Sequence, residues 1–120
     1  MSNDARIGRI DYIEFPAATA EALAQAKQFY GKAFGWEYKS WGPAYADTQS
    51  SGVGSGIGVD AGERQQRPLA VIYSNDLEAS RTNVLAAGAT LTKDIFAFPG
   101  GRRFQFTDPA GNELAVWSDV

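Results

Sequence analysis

The order of strand and helix signals, run through twice, constrains this chain more than any other feature. Ile10 to Phe15 mixes β-branched and aromatic residues and reads as a strand closed by Pro16. Ala18 to Phe34 carries apolar residues at helical spacing, at Leu23, Ala26, Tyr30, Ala33 and Phe34, with Thr19 as N-cap and Gly35 as stop. Trp36–Trp41, Ala44–Thr48 and Val53–Val59 then read as three short strands. The pattern restarts after a polar stretch, Asp60 to Pro68, which reads as a linker. Leu69–Tyr73 is a strand, Asn75 with Glu78 three residues on forms a capping-box spacing, and a second helix stops at Gly88. Thr90–Phe96, Arg103–Thr107 and Glu113–Trp117 close the series, with a tight turn over Asp108 to Asn112. The two helix stops are 53 residues apart. An α+β chain of two tandem βαβββ modules is therefore expected, although residue identity between the halves is weak.

At 120 residues the chain is the size of one domain, with a first module over about 8–59 and a second over about 69–118. Two zeros in the composition restrict its chemistry: there is no cysteine and no histidine. Thiolate nucleophiles, disulfides and iron–sulfur clusters are excluded, as are Ser-His-Asp triads and imidazole ligands for transition metals. No cofactor is expected. A formal charge of -3 gives no reason to expect nucleic acid, and no apolar run approaches the ~18 residues of a membrane span. Met1 to Arg6 lacks an apolar signal region, and the cysteine-free composition suits a reducing compartment, so a cytoplasmic protein is expected.

Strand alternation puts Tyr12 and Glu14 on one face of the first strand, and Ala115 and Trp117 on one face of the last. Arg102 and Arg103 read either as a clamp for an anionic ligand or as a solvated loop end after Gly100 and Gly101. The run Gly52 to Gly58 has no helix after it and so is no nucleotide loop. Its alternating glycines instead suggest a strand face that another backbone approaches closely. Trp36, Trp41 and Phe98 exceed what one small core needs and point to a homodimer.

Five segments carry a family resemblance: Tyr12-Ile-Glu-Phe-Pro-Ala17, Phe29-Tyr-Gly-Lys-Ala-Phe-Gly-Trp36, Asn75-Asp-Leu77, Ala86-Ala-Gly88 and Phe106-Thr-Asp-Pro-Ala-Gly-Asn112. In this order they resemble the vicinal-oxygen-chelate superfamily of glyoxalases, bleomycin-resistance proteins and extradiol dioxygenases. The resemblance implies that the two modules curl into a half-open β-barrel cup around a small-molecule site. Its metalloenzymes hold a divalent metal through His and Glu side chains. Those positions fall here on Tyr12, Leu69 and Ala115, and the fourth cannot be placed, so no metal is expected. The expected function is metal-free binding of a small hydrophobic or aromatic molecule, with Tyr12, Glu14, Tyr45, Tyr73, Arg103 and Trp117 as candidate ligand-binding residues. The alternative is an unconventional metal-independent isomerase or lyase using Glu14 as base.

Overall fold

The computed structural model describes residues 4–59 and 67–120. Most of the expected linker lies outside the described residues. The chain divides into two compact units, residues 12–69 and residues 70–120 joined by 4–11. Each builds a four-stranded sheet with one helix on it.

In the first module, β1 (Ile10–Pro16) leads into α1 (Ala20–Phe34) and a meander of β2 (Tyr38–Ser40), β3 (Tyr45–Thr48) and β4 (Gly54–Gly58). The helix crossover returns the chain so that β4 lies parallel to β1, and β2, β3 and β4 pair antiparallel. Helix α1 starts where expected: the Thr19 side chain accepts a hydrogen bond from the Ala22 amide at 3.0 Å. It stops at Gly35, whose φ of 74° is a left-handed conformation that glycine adopts without steric cost. The core lies between α1 and one sheet face, where Ala17, Leu23, Ala46 and Ile57 are buried and Phe15, Tyr30 and Tyr38 pack against them. Of the expected helix stripe, Ala33 and Phe34 are exposed, Phe34 lying against the rings of Tyr30 and Trp36.

The second module repeats the order with β5 (Leu69–Tyr73), α2 (Leu77–Ala86), β6 (Thr90–Phe98), β7 (Gly101–Thr107) and β8 (Glu113–Ser118). Strand β5 lies parallel to β8, while β6, β7 and β8 pair antiparallel. The N-cap of α2 is Asp76 rather than Asn75: its carboxylate accepts from the Ala79 amide at 3.0 Å. Leu77, Phe104, Phe106 and Val116 form the core under α2. The Asp108–Asn112 turn forms as expected, with the Asp108 carboxylate accepting from the Ala110 and Asn112 amides at 2.9 Å. Ile7 to Arg9 pair with the last residue of β5, where Gly8 donates to the Tyr73 carbonyl and the Tyr73 amide donates to the Arg9 carbonyl.

Candidate functional site

The sheet face of the first module opposite α1 carries the expected first-strand residues. Register sets Tyr12 beside Gly54 and Glu14 beside Gly56 on β1, and Tyr45 beside Gly58 and Asp47 beside Gly56 on β3. With β4 between β1 and β3, the two tyrosines reach in from opposite sides. Their hydroxyls meet in a short hydrogen bond above Gly56. A Cβ on Gly56 would overlap both phenolic oxygens, so glycine is required for the pair to close. The alternating glycines thus make room for tyrosine side chains, and the expected approach of another backbone is corrected. Gly56 and Asp47 are the site residues that sequence reasoning did not single out. The glycine run was visible, but its partners depend on strand register.

Burial, the neighbouring Tyr45 hydroxyl, and the charges of Asp47 and Glu14 push the Tyr12 phenol far above its ordinary value. Tyr12 therefore stays protonated and is not a base. Burial also raises Tyr38, and hydrogen bonding to Asp119 raises Tyr73. A raised tyrosine favours the folded state while it is neutral. That contribution is whole below pH of about 10, where unfolded tyrosine titrates, and is lost as pH rises toward the folded values. Alkaline titration followed at 295 nm should therefore show a late-ionising class among the five tyrosines. Unfolding measured in parallel should show stability falling over that range; five tyrosines titrating together near 10 would contradict this assignment.

In the second module the structure brings Tyr73 and Trp117 together, their rings edge-on with centroids 5.2 Å apart. The Trp117 indole donates to Asp11 at 3.0 Å, and the Tyr73 hydroxyl donates to Asp119 at 2.6 Å. Arg103 is opposite Trp117 in register, but its guanidinium lies over the Phe96 ring and donates to Gln105 at 3.1 Å. Arg102 pairs with Glu78 at 2.6 Å. Both arginines lie on β7, as expected for Arg103; the strand begins earlier, at Gly101, so Arg102 is a strand residue and not a loop end. Most of the remaining aromatics serve packing: Trp36 stacks on Tyr30 at 4.8 Å, Phe98 lies against Trp117, and Phe104 and Phe106 are core residues.

The positions that the resemblance assigns to metal ligands do not fit a metal. Leu69 and Ala115 are buried, with 1% and 0% of their surface exposed, and neither has a donor atom in its side chain. Tyr12 is held neutral, whereas a ligand must be deprotonated to bind well. Among the described residues no group of three or more His, Cys, Asp or Glu side chains converges on one point. Two open hollows lie elsewhere, one of about 580 Å³ against α1 beside Lys27, Trp36 and Tyr38, and one of about 310 Å³ between β5 and α2. No helix among the described residues is long and apolar enough to cross a membrane.

Comparison with known proteins agrees with this architecture. No curated protein matches the sequence. Among solved structures, the chain is similar to the NAD-dependent benzaldehyde dehydrogenase of Legionella pneumophila, with a TM-score of 0.72, 12% identity, and coverage of 89% of this chain and 96% of that one. The Mn(II)-bound glyoxalase of Novosphingobium aromaticivorans matches with a TM-score of 0.67 and 23% identity over 96% of this chain, which spans 40% of that protein. A glyoxalase/bleomycin resistance protein/dioxygenase superfamily member from Vibrio splendidus 12B01 gives a TM-score of 0.64 at 15% identity, covering 90% and 97% of the two chains. Residues 15–117 match the family described as the glyoxalase-like domain, a span that runs from the end of β1 into β8. The chain therefore belongs to the glyoxalase-like domain family, within the vicinal-oxygen-chelate superfamily.

Proposed function

We propose that this protein binds a small, neutral, planar molecule without a metal, using the Tyr12–Tyr45 hydroxyl pair as its polar contact. The observation that carries the reading is the convergence of these two hydroxyls over Gly56 on the sheet face opposite the helix. A phenol both donates and accepts, so the pair is a hydrogen-bonding group of the kind that suits a carbonyl oxygen of the ligand. Gly54, Gly56 and Gly58 give the two tyrosine rings room to lie over β4 and bring their hydroxyls together. Glu14 and Asp47 flank the pair and disfavour anions.

Binding is favoured over catalysis because Tyr12 stays protonated and two of the three placed metal positions, Leu69 and Ala115, lack donors. The alternative, proton abstraction by Glu14, is decided by Glu14→Gln: turnover of a bound ligand that this substitution abolishes would favour the enzyme. A homodimer and a cytoplasmic location belong to the same proposal, supported by the exposed Phe29, Phe34 and Trp41 and by the absence of cysteine. Incubation with manganese, zinc or nickel followed by dialysis should leave far less than one ion per chain by elemental analysis. Retention of about one ion per chain would overturn the metal-free part of the reading.

A further inference from the structure

Arg6 occupies the position an organic cation would take in the second module. Its guanidinium carbon lies 3.9 Å from the centroid of the Tyr73 ring and 5.8 Å from that of Trp117. Such contacts draw a cation onto the negative face of an aromatic ring. Carboxylates complete the enclosure. Asp4 pairs with Arg6 at 2.6 Å, and Asp119 stands 3.6 Å from it. Asp11 is close enough for Arg6 to pull its pKa down against the larger upward effect of burial. Asp4 and Asp119 thus flank one guanidinium, and this group of charges remains net negative with Arg6 in place.

The walls are held by groups other than Arg6. Asp119 accepts the Tyr73 hydroxyl and Asp11 accepts the Trp117 indole, so both rings keep their orientation when the cation leaves. The backbone beyond Arg6 is also fixed, by the hydrogen bonds of Gly8 and Arg9 to Tyr73. The Arg6 side chain, 41% exposed, can swing out while that pairing stays intact.

We propose that Tyr73, Trp117, Asp11 and Asp119 form a recognition box for an organic cation of the guanidinium or quaternary-ammonium class, and that Arg6 is its intramolecular occupant. The proposal uses no residue of the Tyr12–Tyr45 pair and stands independently of the reading above. A free cation must compete with a tethered one, whose effective concentration is of millimolar order. The box is therefore weak toward outside ligands until Arg6 is displaced.

The test is a titration of wild-type protein and of Arg6→Ala with methylguanidinium and with tetramethylammonium at constant ionic strength, using N-methylurea as the neutral control. The readout is the Trp117 indole N–H resonance, assigned by its loss in Trp117→Phe. The expected result is a saturable shift in Arg6→Ala at cation concentrations about tenfold lower than wild type requires. Adding Asp119→Asn, which keeps an acceptor for Tyr73 while removing the charge, should weaken the cation's binding to Arg6→Ala. No saturable shift in Arg6→Ala, an equal response in wild type, or an equal response to N-methylurea would each overturn the proposal. Should Arg6→Ala fail to fold, the same titration on Arg6→Gln, which retains the side-chain stem over Tyr73, decides it by the same criteria.

Discussion

Phe104→Ala is expected to lower the free energy of unfolding by about 4 kcal/mol. Phe104 has 0% of its surface exposed and is among the largest fully buried side chains. It sits on β7 opposite Val116 of β8, 6.2 Å from the Phe106 ring, in the cluster that joins α2 to the sheet through Leu77. Truncation removes the ring's transfer free energy and leaves a cavity that a hydrogen-bonded sheet cannot collapse to fill. Since small domains have only about 5–15 kcal/mol in total, the loss takes a large share of the stability. Urea unfolding should show a lower midpoint at an unchanged slope. A cost below about 1 kcal/mol would mean that Phe104 is not the link between α2 and its sheet.

Gly101→Ala is expected to cost about 3 kcal/mol, seen as a fall of roughly 10 °C in Tm. A Cβ at this position would overlap the Ser118 carbonyl oxygen and lie 3.1 Å from its carbon. Both are backbone atoms of β8, which register ties to β7 beside Gly101, so relief requires the two strands to separate. Gly56→Ala is a useful contrast. There the new methyl meets the tips of Tyr12 and Tyr45, which can rotate away, so the stability cost should be smaller while the hydroxyl pair is lost. If Gly101→Ala proves the milder of the two, the close approach of β7 to the end of β8 is wrong.

The repeated module was legible because its punctuation is local. Thr19, Gly35 and Gly88 act through backbone geometry within a turn of themselves, and each does in the structure what its residue type predicts. Neighbouring capping residues are harder to separate, as Asn75 and Asp76 show: both can cap, and the choice falls on Asp76 once Leu77 is anchored in the core. Arg103 is expected at the start of its strand, whereas Arg102 falls outside that expectation because two glycines precede the pair. Gly100 makes the turn with a φ of 106°, and Gly101 already lies in the strand. Tyr12 and Tyr45 were both visible as candidates, but their meeting depends on β4 lying between β1 and β3, which no local signal specifies. Arg6 gave no signal at all, since its place over the Tyr73 ring depends on Ile7 to Arg9 pairing with Tyr73.

In the proposed function the tyrosine pair over Gly56 receives a ligand oxygen without a metal. The most direct measurement of this is a titration of chelator-treated protein with acetophenone and benzamide, two planar aryl carbonyls, followed through the ring resonances of Tyr12 and Tyr45. Saturable shifts of both tyrosines, unchanged by chelator and absent in Gly56→Ala and in the Tyr12→Phe/Tyr45→Phe double variant, are the expected result. Binding that leaves both tyrosines unshifted, that persists in Gly56→Ala, or that appears only when a divalent metal is added would contradict the claim.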